Sequence, residues 1–466
     1  MFRELKKHTL RDGTAIAWLG SLPEHWETAR GKALFRREKR EPLDGDGVVT
    51  CFRDGLVTLR SNRRLTGFTE AIQEHGYQRV LRGDLVIHAM DAFAGAVGVS
   101  DSDGKSSPVY AACTPRTTAN PHYYAAAVRE MARTSWIAAL SRGVRERSTD
   151  FRFEAFANQL LPVPPADEQA AIVKYLGHAH ARFDRAVAAK RKLIALLEEQ
   201  KQAIIHQAVT RGLDPSVPFN DSGIPWLGEI PARWEACRAK YLFKEFDIRS
   251  GTGSERLLSL RAIAGLVFHD EVSDRLIGPE VLTKYKKVRP GHLVMNRMRA
   301  ASGLFAVAAT EGLVSPDYST MEVSKAVDAR YYLRLFKTRA AMAEFRQQSS
   351  GLGTGESGFM RLYSESFGRI PLPMPPLAEQ EAISEGLSAL EQEGNEVTIR
   401  VSREIELLRE FRTRLTSDVV TGQVDVREIA ATLPELADEE FDSADGEFGD
   451  DDELIESELE FAGADE

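Results

Sequence analysis

Cysteine is scarce in this 466-residue chain: Cys51, Cys113 and Cys237 are the only three, and no two form a C-x-x-C pair. That excludes a disulfide framework and a cysteine-ligated zinc site, and the usage fits a reducing cytosol. The ten histidines show no H-E-x-x-H or comparable ligand spacing, so no metal site is expected. No apolar run approaches the roughly 18 residues of a membrane span, and no basic-apolar-small segment opens the chain. The expectation is a cytoplasmic protein with no membrane partner.

Basic residues are missing from one place. Between Pro434 and Glu466 there are sixteen acidic residues and no Lys or Arg, the last basic residue being Arg427. The overall net charge of −10 therefore hides a body of net +6. A mildly basic body with an acidic, disorder-type tail is compatible with nucleic-acid binding.

Complete catalytic motifs are lacking as well. Gly104-Lys105-Ser106 echoes a phosphate-binding loop, but that loop needs a glycine where Val99 stands. Asn120-Pro121-His122-Tyr123 falls one proline short of an adenine-methyltransferase signature. No catalytic residue or cofactor is assigned to the chain.

What is present is a long internal repeat. Trp18-Leu19-Gly20-Ser21-Leu22-Pro23-Glu24-His25-Trp26-Glu27 returns as Trp226-Leu227-Gly228-Glu229-Ile230-Pro231-Ala232-Arg233-Trp234-Glu235, an offset of 208 residues. The register persists through Arg30/Arg238, Phe35/Phe243, Ser107-Pro108/Ser315-Pro316 and Tyr123-Tyr124/Tyr331-Tyr332. It then steps to 211, pairing Pro162-Val163-Pro164-Pro165 with Pro373-Met374-Pro375-Pro376. The extra residues fall in the Gly-rich stretch Ser349 to Gly358. Solenoid repeats run to about 20–50 residues, so this is a duplicated domain.

Each copy begins with about 150 residues of short β-type runs and helical patches, an α/β (α+β) pattern. A long helix follows, from Ala166 to about Val209 and from Leu377 to about Val420. Ile172, Leu176, Ala179, Phe183, Ala186, Leu193, Leu197 and Ile204 mark an apolar seam on the first, broken at Lys190 and Gln200. Ile383, Leu387, Leu390, Val397, Val401, Leu408, Phe411 and Leu415 mark the second, broken at Gly394 and Glu404. Sustained three-and-four spacing predicts a pseudo-two-fold, antiparallel coiled coil. Val420-Thr421-Gly422-Gln423 repeats the string that leads into the second copy, which predicts that Arg11 to Trp18 lies near Val420–Val426.

The paired motifs Pro225 to Trp234 and Ile370 to Ile383, with Leu161 to Gln169 in the first copy, resemble those of type I restriction-modification specificity subunits. The resemblance covers roughly residues 11–427. It implies target-recognition domains at 1–165 and 213–376, spacer helices at 166–212 and 377–426, and a tail at 427–466 outside the family pattern. It further implies a non-catalytic phage-defence subunit that reads a bipartite site on double-stranded DNA. Two methyltransferase subunits, which carry S-adenosylmethionine, and motor-nuclease subunits would be its partners. The other readings are a stand-alone DNA methyltransferase or nuclease, or a DNA-mimicking regulator acting through the tail.

Near-identical halves that read different sequences should differ in loops carrying Arg, Lys and Asn, the side chains suited to phosphates and base edges. The candidates are Arg60, Arg63 and Arg64 in the first copy. In the second they are Lys286, Lys287, Asn296, Arg297, Arg299 and Arg361. Trp18, Trp26, Trp226 and Trp234 recur in both copies and read as packing anchors.

Overall fold

The computed structural model describes residues 5–13, 16–63, 75–140, 150–275, 277–352 and 359–435. These divide into two compact units, one of residues 5–191 with 402–435, the other of 192–401.

In unit one, an antiparallel four-stranded sheet runs in the order Val97–Val99, Leu85–His88, Tyr110–Pro115, Phe35–Arg37. Unit two repeats it as Phe305–Val307, Leu293–Asn296, Tyr318–Val323, Phe243–Phe246. Alternation along a strand sends neighbouring side chains to opposite faces. Leu85 and Ile87 accordingly enter the large aromatic core, while Val86 enters a smaller one under the hairpin Val49–Cys51/Val57–Leu59. Leu293 and Met295 divide from Val294 in the same way.

The large cores are alike ring by ring. Phe35 meets Tyr124 edge-on at 5.3 Å, and Phe243 meets Tyr332 at 5.3 Å. Trp26 and Trp234 are buried against Tyr123 and Tyr331, as expected of packing anchors. The helices behind these tyrosines begin alike too. Asn120 accepts the His122 amide N–H at 3.0 Å, and Asp328 accepts that of Arg330 at 2.9 Å, each filling an orphan donor of a helix N-terminus.

The long helices are Ala166–Arg211 and Leu377–Val420. In unit one, segments of the two run antiparallel past each other. There Phe183 meets Phe411 edge-on at 5.7 Å, the His180 ring hydrogen-bonds Thr416 at 2.9 Å, and Arg412 pairs with Asp184 at 3.0 Å. The seam breaks find each other: Lys190 forms an ion pair with Glu404 in unit one, and Gln200 and Gly394 line one small cavity in unit two. The seam is less continuous than its spacing suggests. Leu193 and Phe411 remain 43% and 45% exposed, because two helices alone cannot cover both flanks of a shared stripe.

Gly422, in the left-handed conformation at φ +72°, ends the second helix where a Cβ would lie 2.4 Å from Pro23 and 2.8 Å from Trp26. Around it, strand Lys6–Lys7 pairs with Val424–Asp425. The segment after the second long helix therefore does meet the early chain, through Lys6–Lys7 and Pro23–Trp26.

Candidate nucleic-acid interface

The two units share a set of equivalent hydrogen bonds. Tyr123 and Tyr331 donate to the helix-end carbonyls of Val420 and Val209, at 3.2 and 2.7 Å. Tyr124 and Tyr332 donate to Pro162 and Pro373, at 3.2 and 2.9 Å. Gln169 accepts the Asn120 N–H at 2.8 Å and donates to Pro164 at 2.9 Å. Gln380 does the same with Asp328 at 2.9 Å and Pro375 at 2.8 Å. These residues hold the frame, and burial raises the phenol pKa of all four tyrosines.

Against that frame, one loop changes its chemistry. Strands Leu85–His88 and Leu293–Asn296 end at equivalent positions. The first continues His88-Ala89-Met90-Asp91, the second Asn296-Arg297-Met298-Arg299. In unit one the loop is acidic: Asp91 binds His88 and Arg53, each at 3.1 Å, which holds its carboxyl below the usual range. In unit two it is basic. The methionine is exposed in both, Met90 at 45% and Met298 at 42%.

The basic loop of unit two gathers three candidates. Arg297 donates to the carbonyls of Asp317 and Pro316 at 2.5 and 2.7 Å, and Arg361 lies 3.5 Å from the Asp317 carboxylate. The backbone ties them further, since the Leu362 N–H donates to the Arg297 carbonyl at 2.9 Å. Arg299 is exposed beside them. Asn296 has a turn-forming role, its side-chain oxygen accepting the N–H groups of Met298 and Arg299 at 3.0 and 3.2 Å. Lys287 stands apart, half-buried and paired with Glu255 at 2.5 Å. That pairing, with a hydrogen bond from Ser250, pulls Glu255 down to about 2.

Lys286 requires correction. It is 3% exposed and its ammonium donates to the Tyr318 carbonyl at 2.8 Å; burial lowers its pKa. Gln78, its equivalent, donates to the Tyr110 carbonyl at 2.5 Å. Both are struts of the frame, because a strand places that side chain inward. The Gln78/Lys286 pairing under the 208 offset was the available signal: a position served equally by amide and ammonium needs a donor, not a charge.

In unit one, Arg60 and Arg63 occupy the turn Arg60–Arg63 after the hairpin. Arg60 donates to Thr50 at 2.9 Å. Arg63 binds Asp54 at 2.6 Å and lies 4.3 Å over the Phe52 ring, which holds it against its own hairpin. Arg64 lies outside the described residues, as do 353–358 of the Gly-rich stretch and the tail from 436 on. One exposed residue gave no sequence signal. Ile263 is 87% exposed at the tip of the hairpin Leu258–Arg261/Gly265–Phe268, at whose other end Arg256 lies 3.4 Å over Phe268. Among the described residues, no helix is long and apolar enough to cross a membrane.

The two units are thus a duplicated α/β frame presenting unlike loops. Residues 288–407 match the family model described as type I restriction modification DNA specificity domain. It is similar to the type I restriction enzyme MjaVIII specificity subunit of Methanocaldococcus jannaschii, at 24% identity over 59% of this chain and 64% of that one. It is also similar to the putative MjaX specificity subunit of the same organism, at 24% identity over 57% of this chain and 60% of that one. The matches thus span less than two thirds of the length of these curated relatives. A solved chain from work on complex assembly and conformational transition of the type I R-M system shares the fold. Its TM-score is 0.59 at 14% identity, covering 86% of this chain and 99% of that one.

Proposed function

We infer that this chain is the cytoplasmic DNA-recognition subunit of a type I restriction-modification complex and has no catalysis of its own. Residues 1–165 and 213–376 are its target-recognition domains, each reading one half of a bipartite site. Residues 166–212 and 377–426 form the pseudo-two-fold coiled coil that sets the spacer and docks two methyltransferase subunits. Those subunits bind S-adenosylmethionine, and motor-nuclease subunits complete the complex. Residues 427–466 begin with the helix Arg427–Thr432, whose Ala430 joins the core of unit one, and go on into the acidic stretch.

The observation that carries this reading is the contrast between duplicated frame and unlike loops. His88-Ala89-Met90-Asp91 and Asn296-Arg297-Met298-Arg299 occupy equivalent places with opposite charge. Half-site discrimination needs this: base contacts specify, and the frame positions them. Arg297, Arg299 and Arg361, with Lys287, are the contact residues of unit two. Arg60, Arg63 and Arg64 are those of unit one.

A methylation map of the source genome tests the scheme. The expected outcome is a split adenine-methylated motif with a fixed spacer, of which one half alone changes when residues 213–376 are replaced by those of a relative. A continuous motif, or methylation by the purified chain with S-adenosylmethionine and no partner, overturns it.

A further inference from the structure

Glu379, at the start of the second long helix, is held by Arg233 through both oxygens, at 2.7 and 3.0 Å, and by the Trp234 indole N–H at 3.0 Å. The equivalent carboxylate in unit one, Glu168, meets different chemistry. His25 stands where unit two has Arg233. The Trp26 indole nitrogen is buried and makes no hydrogen bond. Glu168, 2% exposed, faces two imidazoles: His25 Nε2 lies 2.8 Å from Oε2, and His8 Nε2 lies 3.2 Å from Oε1.

His8 is the telling member. Its side chain is 7% exposed, yet its Nε2 makes no hydrogen bond, although it points at the carboxylate. A buried polar nitrogen left so is costly unless another partner takes its lone pair. One ligand atom from each of the three residues lies within 4.8 Å of the others. A tetrahedron whose bonds are about 2.0–2.2 Å has edges of about 3.3–3.6 Å, so His8, at 3.2 Å, already stands at such an edge and His25, at 2.8 Å, would open by about 0.5 Å around an ion. The opposing charge is damped. Arg427 Nη1 lies 3.9 Å from Glu168, but that guanidinium is bound by Asp425 at 2.7 and 3.0 Å.

We propose that His8, His25 and Glu168 form a binding site for a divalent borderline cation of the zinc class, with water as the fourth ligand. Two imidazoles among three donors select against magnesium and calcium, which prefer all-oxygen shells. The site joins three segments of unit one, two near the start of the chain and one at the first long helix. His8 follows strand Lys6–Lys7, His25 lies between Ser21–Pro23 and Glu27–Arg30, and Glu168 opens the first long helix. Since Lys6–Lys7 pairs with Val424–Asp425, the cation acts as a clasp where the early chain meets the segment after the second helix.

The test uses the full-length chain without a histidine tag, stripped by a chelator and dialysed. Zinc is titrated by calorimetry, cobalt by visible absorption, and Tm is followed. Expected are one saturable equivalent, the intense visible bands of tetrahedral cobalt, and a Tm that rises with zinc. His8→Ala and His25→Arg should each abolish the cobalt bands and weaken zinc binding by more than about tenfold. His25→Arg installs the pairing that Arg233 makes with Glu379, so that variant should keep the wild-type circular dichroism spectrum. No saturable binding, or equal binding by wild type and the double variant, overturns the proposal and leaves a metal-free His–Glu–His cluster. DNA enters none of these measurements, so the outcome is independent of the recognition reading.

Discussion

The Lys286 ammonium donates to the Tyr318 carbonyl inside unit two, while Arg361 leaves 39% of its side chain in water beside Asp317. The two should respond oppositely to substitution. Arg361→Ala and Arg299→Ala are expected to weaken DNA binding by the assembled complex and to lower the salt slope of its affinity by about one unit each, as loss of a phosphate contact does. Lys286→Met should leave that slope unchanged and cost about 1–3 kcal/mol in urea denaturation, because the Tyr318 carbonyl loses its donor. Glu255 gives a pH signature. Its folded value of about 2 lies below the ordinary 4.5, so its stabilisation is complete above that ordinary value and is lost as pH falls through about 2. Glu255→Gln should therefore lower the unfolding free energy slightly at pH 7, by under about 1 kcal/mol for a pair at the surface, with the difference vanishing near the folded value.

Each long helix end is held by a tyrosine hydroxyl, Tyr331 to Val209 and Tyr123 to Val420. Tyr331→Phe should cost about 1–3 kcal/mol by thermal unfolding, since a buried carbonyl at a helix end loses its donor. An equal loss is expected for Tyr123→Phe, and a wild-type Tm in either variant would mean that water replaces the phenol. The seam break Lys190–Glu404 behaves differently. The pair is 30% and 47% exposed, a setting in which ion pairs are worth about 0–1 kcal/mol. Replacing both with leucine should hold or raise Tm, whereas Glu404→Leu alone should lower it. The helix seams were legible as three-and-four periodicity, and so were the polar breaks. That the breaks face one another was not, because antiparallel register is set by packing at the helix ends.

For the molecule as a whole, duplication is the strongest determinant. The repeat register, 208 residues and then 211, lays out two equivalent frames, because shared positions such as Tyr123/Tyr331 and Gln169/Gln380 make the same hydrogen bonds in both. The tail from residue 436 lies outside the described residues, but its entry is placed: Glu435 pairs with Lys174 at 2.6 Å, and His178 hydrogen-bonds the Pro434 carbonyl at 2.9 Å. If the tail imitates DNA, removing residues 436–466 should tighten DNA binding at low salt; an unchanged affinity makes it a solvating appendage. The sequence alone determined the repeat, the mixed α/β class, the two long helices and the aromatic anchors, because periodicity, proline placement and self-comparison are local or internal signals. Tertiary structure alone decided which basic residues face water, why Lys286 is a strut, and how His8, His25 and Glu168 converge. Exposure and convergence depend on which face each strand turns inward, and no residue carries that information by itself.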